Sequence, residues 1–282
     1  MVIVNGRLSE ESVRRHGGPF FPLERVREAV SFVACRAESD LRGFERLGFD
    51  SGLLAVTGST KFDVLPEAPR GGEREALRSE LGIERGVPVV VFGSVRPAEE
   101  RAVVNVTAAV LSGGAAHVII APRHLARVTS IERGLSSVGA PYALRSSPAA
   151  DPRRVTILDT TGELRAVYAL ADVAFVGGTL GSYGGHNPLE PAAMGVPVLL
   201  GPDTRSCAYE AELLVERGGA ARVADAEGLM RAALELLRDS EKRRDMGDRA
   251  AGAVSSGRGA TERTMTILTE QGVLPRAGAV ES

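Results

Sequence analysis

Short apolar runs alternate with longer amphipathic stretches along most of the chain. From about residue 88 the runs are 88–92, 117–121, 154–158, 173–176, 196–200 and 220–223, with 142–144 as a weaker seventh. Each is rich in Val, Ile or Leu and bounded by Gly, Pro, Asp or Ser, the pattern of a buried strand. Between them, 98–111 places Val103, Val106, Val110 and Leu111 on one helical face, and 229–237 does much the same with Leu229, Met230, Ala233, Leu234, Leu236 and Leu237. Strands apolar throughout, alternating with helices, predict an α/β unit: a doubly wound parallel sheet covered on both faces.

The first sixty residues repeat the pattern on a smaller scale. They predict a strand at 2–5, a helical region around Ser9-Glu-Glu-Ser12, a helix at 22–30 and a strand at 31–35. A helix at 38–47 and a strand at 53–56 follow. This reads as part of a second α/β domain whose few strands make a poorly covered sheet alone. Residues 63–72, with Pro66, Pro69 and Gly71-Gly72, suit a linker, and the tail after Pro275 suits a disordered end.

Composition narrows the function. With 34 basic and 36 acidic residues, the net charge of −2 gives no reason to expect nucleic acid as partner. Cys35 and Cys207 lie far apart without a Cys/His cluster, which predicts no zinc site and a reducing compartment. No apolar run reaches the roughly 18 residues of a membrane span, and no secretory signal opens the chain, so the expectation is a soluble, cytoplasmic protein. The sequence has no P-loop, no GxGxxG after the first strand of the larger unit, no HExxH, no GxSxG and no Asp-x-Asp pair. A nucleotide site without a metal remains.

The unusual residues cluster just after the predicted strands: Gly93-Ser94-Val-Arg96, Pro122-Arg123-His124, Asp159-Thr-Thr-Gly162-Glu163, Gly177 to Glu190, and Gly201-Pro202-Asp203. In a parallel sheet these loops open on one rim, where ligands bind. Arg123 suits a phosphate. His124 is a contact or a helix-start residue, Ser94 a phosphate donor or a helix cap. The run Gly177-Gly-Thr-Leu-Gly-Ser-Tyr-Gly-Gly-His-Asn-Pro-Leu-Glu-Pro191 then opens a helix, with Asn187 at the N-cap, Pro188 at N1 and Glu190 at N3. The free N–H groups of its first turn suit a phosphate. Glu190 serves either a ribose diol or a capping box with Asn187. His186 is expected to bond the loop backbone.

Taken in order, these motifs carry a resemblance. They are Val4-Asn-Gly-Arg-Leu-Ser-Glu-Glu-Ser12, Thr57-Gly-Ser-Thr-Lys-Phe-Asp63, Pro122-Arg-His124, Asp159-Thr-Thr-Gly-Glu-Leu164, Phe175-Val-Gly-Gly-Thr179, Gly184-Gly-His-Asn-Pro-Leu-Glu-Pro191 and Gly195-Val-Pro-Val-Leu-Leu-Gly-Pro202. The chain resembles the 3-deoxy-D-manno-octulosonic acid (Kdo) transferases, glycosyltransferases of the two-domain GT-B fold. The resemblance implies a remnant of the N-terminal acceptor-side domain at 1–62 and a C-terminal Rossmann-like donor domain at 63–275, with the tail at 276–282.

It further implies transfer of Kdo from CMP-Kdo to a lipid A precursor in lipopolysaccharide biosynthesis, at the cytoplasmic face of the inner membrane, with no metal or other cofactor. Pro122 and Arg123 match a CMP-contacting pair. Gly162, Glu163 and Leu164 match a second contacting loop. Asn187, Pro188, Leu189 and Glu190 match a third, with Gly185 in the preceding glycines. Lys61 matches a lysine thought to steady transition-state charge. The family's acceptor half and general base have no counterpart here, so the chain is expected to bind donor and to be inactive alone. The alternatives are another GT-B nucleotide-sugar transferase or epimerase, or a non-catalytic nucleotide-binding remnant. Departures also stand out. Ser94-Val-Arg-Pro-Ala-Glu-Glu100 replaces Ser-Thr-His-Glu-Gly-Glu-Glu, Asp203 replaces a histidine, and Ser206-Cys207 replaces Asn-Phe.

Overall fold

A computed structural model describes residues 1–18, 22–65, 71–114, 116–147 and 154–274. In order, its elements are β1 (Val2–Gly6), α1 (Glu10–His16), α2 (Leu23–Ala29), β2 (Phe32–Cys35), α3 (Glu38–Arg46) and β3 (Leu54–Val56). Then come α4 (Gly71–Glu80), β4 (Val89–Val95), α5 (Glu100–Ser112), β5 (His117–Pro122), α6 (Val128–Ser137), β6 (Ala143–Leu144) and β7 (Val155–Ile157). The chain continues through α7 (Leu164–Tyr168), β8 (Val173–Val176), α8 (Leu189–Ala193), β9 (Val198–Leu200), α9 (Ala208–Glu216) and β10 (Ala220–Arg222). It ends in α10 (Ala226–Arg238), α11 (Ser240–Gly257) and α12 (Ala260–Glu270).

The chain divides into two compact units, one of residues 1–65 with 255–282, the other of residues 66–254. The expected division put everything from 63 to 275 in one donor domain. The structure instead groups the residues from Ser255 onward with the first unit. The core of the smaller unit supplies the reason. Its sheet has three parallel strands, β1-β2-β3, one more than a marginal pair. Val33 and Cys35 of β2 face a cluster with Phe44, Leu47 and Phe49, while Phe32 and Ala34 face Leu268 of α12. The predicted shortage of cover is therefore met by a helix 200 residues downstream in sequence. Asp63 fastens that helix: its carboxylate accepts the N–H groups of Gly259 (2.7 Å) and Thr261 (2.6 Å). Residues 66–70 of the linker expected at 63–72 and the tail at 276–282 lie outside the described residues, and Gly71 and Gly72 open α4 instead of ending a linker.

The larger unit is the doubly wound sheet, all parallel, in the order β10-β9-β8-β4-β5-β7-β6. Alternate residues of β4 serve two cores. Val90 and Phe92 pack with α5, α6 and α10 through Val103, Val106, Ile131, Leu135, Leu229 and Ala233. Val89 and Val91 pack with Ile83, Val167, Tyr168 and Leu170 on the opposite face. Local signals agree with this packing. Asp225 caps α10 by accepting the Gly228 N–H at 2.8 Å, and the helix then buries Leu229, Ala233 and Leu236. The weak seventh run forms the two-residue edge strand β6. His117, which carries no functional signal in sequence, is buried at the start of β5 and hydrogen-bonds Thr156 at 2.9 Å. No helix among the described residues is long and apolar enough to cross a membrane.

Candidate functional site

The sheet order reverses between β8 and β4, since β5 follows β4 on one side and β8 lies on the other. Such a switch point opens a crevice beyond the strand ends. Here two glycines let the strands close in. A Cβ on Gly177 would stand 2.3 Å from the Ser94 carbonyl oxygen, and one on Gly93 would stand 1.8 Å from the Tyr168 hydroxyl. Neither position accepts a side chain. Ser94 itself has φ of +55°, within an irregularity of the β4–β5 register. It therefore lies inside the strand, in the left-handed region, and is not the helix cap that its sequence allows. The N–H that needs a cap is that of Arg96, and Glu99 accepts it at 2.9 Å.

Glu99 is the organising residue of the rim, and sequence reasoning gave it no such role. Its fully buried carboxylate also accepts the N–H groups of Gly178 (2.8 Å) and Leu180 (2.9 Å), holding the glycine loop after β8. The signal in the sequence is the adjacent Glu99-Glu100 pair at a helix start. Its neighbour Glu100 forms a two-bond ion pair with Arg127 (2.7 and 2.9 Å) and accepts from Ser130 (2.7 Å). Burial alone would raise the Glu100 carboxyl, but those hydrogen bonds more than offset it and hold it below the usual range.

The glycine loop is closed from β9 as well. Asp203 accepts the Gly184 N–H at 2.7 Å and pairs with Arg205 at 2.8 Å. The Arg205 hydrogen bond, opposed by desolvation and helped by the Gly184 N–H, lowers the Asp203 carboxyl to about 2. Ser206 donates its N–H to the Gly184 carbonyl at 2.7 Å, and the Cys207 sulfur would be 3.0 Å from a Cβ on Gly185. The three departures Asp203, Ser206 and Cys207 thus all fall against one turn of the loop.

Asn187 accepts the Leu189 N–H at 3.2 Å through its side-chain oxygen, and its amide donates to Glu190 at 3.3 Å. The helix α8 begins at Leu189, one residue later than the expected N1 at Pro188, which takes the cap position instead of Asn187, and it has five residues. The local hydrogen-bond exchange between Asn187 and Glu190 is present, but through the Asn187 side chain and not its backbone.

Pro122 ends β5, with Arg123 and His124 exposed directly beyond it. His124 Nε2 meets Arg96 Nη1 at 3.1 Å. His186 bonds the loop backbone as expected, its N–H donating to the Gly177 carbonyl at 3.1 Å, and its ring also accepts from a side chain: Arg96 Nε donates to His186 Nε2 at 3.1 Å. Burial first, then the charges of Arg96 and Arg123 and the neighbouring His124, lowers the His186 imidazole to about 4. It is a neutral acceptor at pH 7. Beyond β7, Gly162 is exposed with φ of +85°, and Leu164 starts α7. Glu163 accepts from Arg145 at 3.0 Å and from the Thr160 hydroxyl, so its carboxylate is held by protein groups.

Lys61 belongs to the smaller unit. It is exposed in a 3-10 turn, Thr60–Phe62, just after β3, between buried Ser59 and buried Phe62. The Thr60 N–H donates to Asn5 Oδ1 at 3.3 Å, so two of the sequence motifs meet beyond β1 and β3. Among the described residues no three His, Cys, Asp or Glu side chains gather as a metal site would require.

The chain was compared with known proteins. The family model for 3-deoxy-D-manno-octulosonic-acid transferase (kdotransferase) matches residues 1–64. The 3-deoxy-D-manno-octulosonic acid transferase of Bordetella pertussis is 33% identical over 96% of this chain and 63% of its own length. Among solved structures, the C-terminal CMP-Kdo binding domain of WaaA from Acinetobacter baumannii aligns with a TM-score of 0.60 at 24% identity, over 65% of this chain and 96% of that one. A putative UDP-N-acetylglucosamine 2-epimerase from Listeria monocytogenes aligns with a TM-score of 0.65 at 16% identity, over 98% of this chain and 69% of that one. These structural likenesses show the fold, which is that of the GT-B glycosyltransferases. The chain spans about 63% of the length of the first curated relatives it matches. Its similarity to these 3-deoxy-D-manno-octulosonic acid transferases nevertheless runs through both units of the chain.

Proposed function

We propose that the chain is the donor-binding part of a glycosyltransferase that moves Kdo from CMP-Kdo to a lipid A precursor during lipopolysaccharide assembly. The observation that carries this reading is the β4–β8 switch point, where Arg123, the glycine loop and the Asn187–Glu190 pair open on one rim of a chain 33% identical to a Kdo transferase.

In this reading Arg123, beyond Pro122, pairs with the CMP phosphate, for which a guanidinium is suited. Glu190, oriented by the Asn187 amide, accepts from the ribose hydroxyls. The loop Gly162-Glu163-Leu164 and the glycines around Gly185 approach the nucleotide by their backbone. The acceptor hydroxyl attacks the anomeric carbon of Kdo and the bond from that carbon to the CMP phosphate oxygen breaks. The resemblance gives Lys61 the role of steadying the phosphate charge as CMP leaves. The proton of the acceptor hydroxyl needs a base. His186 accepts from Arg96 and Glu163 from Arg145, so neither is offered for that role. The chain should bind CMP without transferring sugar unaided, at the cytoplasmic face of the inner membrane where the acceptor lies. The reaction uses no metal.

The test is a calorimetric titration of the full chain with CMP, with UMP alongside and Glu190→Gln as control. CMP-selective binding that the variant loses supports the reading, and its absence from a folded chain overturns it. The second reading is a GT-B protein acting on a UDP-sugar, favoured by the alignment of both units with the putative epimerase. A preference for UMP would select it.

A further inference from the structure

Arg96 stands where the family pattern has a histidine, and its surroundings are unusual for a half-buried arginine. Its Nε donates to His186, its Nη1 lies 3.1 Å from His124, and its guanidinium carbon sits 5.1 Å from the centre of the Tyr183 ring. Three other partly or fully buried arginines are matched by carboxylates, Arg36 by Asp40, Arg127 by Glu100 and Arg145 by Glu163, and the buried Arg78 donates to the Glu84 and Val87 carbonyls, whereas Arg96 meets two imidazoles. Among the described residues no carboxylate pairs with Arg96 or with Arg123, and none hydrogen-bonds Arg96 Nη2.

Two imidazoles and a phenol ring fix the direction of a guanidinium without neutralising it. A carboxylate partner would have cancelled its charge. The His186 ring has to be an acceptor for this arrangement to hold. Arg96 also hangs directly from the Glu99-braced turn, so its backbone is set by the same carboxylate that holds the glycine loop. The result is a preformed, uncompensated cation on the rim where Arg123 lies.

We propose that Arg96 is an oxyanion contact of the donor site, binding the phosphoryl or the sugar carboxylate of an anionic nucleotide sugar together with Arg123. This rests on the donor-binding reading given above, and it assigns to that site a second cation absent from the family pattern. A guanidinium keeps its charge above neutral pH, where an imidazole at this position would lose its charge and the contact with it.

The test titrates the full chain and Arg96→Gln with cytidine, CMP, CMP-Kdo and inorganic phosphate. The expected result is about a tenfold or greater loss for an anionic ligand, the effect of removing one charge-assisted contact, with cytidine affinity unchanged. A loss already present with CMP identifies the phosphoryl group. A loss confined to the advantage of CMP-Kdo over CMP identifies the carboxylate. Arg96→His is the second variant: it should regain CMP or CMP-Kdo affinity as pH falls through about 6, which a merely structural residue would not do. Equal losses for cytidine and CMP, or unchanged affinity for every ligand, overturn the proposal. A wild-type chain that prefers UMP ends the CMP reading alone, and the same comparison with uridine and UMP still decides the role of Arg96. A folded wild-type chain that binds none of these ligands overturns both.

Discussion

Glu99 and Gly178 are 79 residues apart in sequence, and the Glu99 carboxylate accepts the Gly178 N–H at 2.8 Å. This bond ties the turn after β4 to the glycine loop after β8 across the switch point. With the Leu180 and Arg96 amides, one carboxylate serves three N–H donors. Glu99→Ala leaves these buried donors without their acceptor and should cost about 3 kcal/mol or more. Glu99→Gln keeps one acceptor oxygen and should cost less. Urea unfolding gives the stability change, and hydrogen exchange at Gly178 and Leu180 should show these amides losing protection first.

The close approach of β4 and β8 makes a second prediction. A methyl group on Gly177 meets the Ser94 carbonyl, a backbone atom that cannot swing away. Gly177→Ala should destabilise the larger unit by about 1–3 kcal/mol or more and weaken nucleotide binding together with it. Gly162→Ala offers the contrast, because nothing lies within 4 Å of its Cβ and only the positive φ opposes it. Its cost should be about 1 kcal/mol. Thermal melts of the two variants test the order, which is lost if Gly162→Ala proves the more damaging.

Acid should weaken the fold through two histidines. The folded imidazoles of His186 and His117 lie near 4, each lowered chiefly by burial, against about 6.5 in an unfolded chain. Below 6.5 the unfolded state binds protons that the folded state refuses. The stability they confer is therefore complete above about pH 6.5 and is lost progressively as pH falls toward 4. In the folded chain His186 keeps accepting from Arg96 Nε until pH approaches 4, so order at the rim should fail only at that acid end. His186→Asn and His117→Asn should each flatten part of the stability slope between pH 6.5 and 4. NMR titration of the two rings in the wild-type chain would refute the assignment if both titrated near 6.5.

Asp63 ends the motif Thr57-Gly-Ser-Thr-Lys-Phe-Asp63 and caps α12 by two backbone amides and the Thr261 hydroxyl. Burial alone would raise its carboxyl, but these hydrogen bonds more than offset it and hold it low. Asp63→Ala should cost about 1 kcal/mol or more and loosen the helix that carries Leu268 onto the smaller sheet. Faster hydrogen exchange across residues 261–270, with the amides of β4 and β8 unchanged, is the expected outcome.

The strands, the helices between them, the parallel sheet and the loops that form the rim were legible in the sequence, whereas α11 and α12, beyond the last strand, were not among its predicted elements. Periodicity and punctuation are local, and a buried parallel strand announces itself by being apolar throughout. The positions of Arg123, His124 and Asn187–Glu190 after particular strands followed from the same reading. Three features needed the tertiary structure. The pairing of α12 with β2 joins Leu268 to Phe32, and no local pattern encodes a partner more than 200 residues away. The role of Glu99 depends on amides brought to it by β8, so in sequence it was indistinguishable from its neighbour Glu100. The setting of Arg96 depends on His124, Tyr183 and His186, which come from two other loops. Sequence determined which groups the chain carries to the rim. Only the packing that brings the loops after β4, β5 and β8 together decided which of them are paired with a carboxylate and which are not.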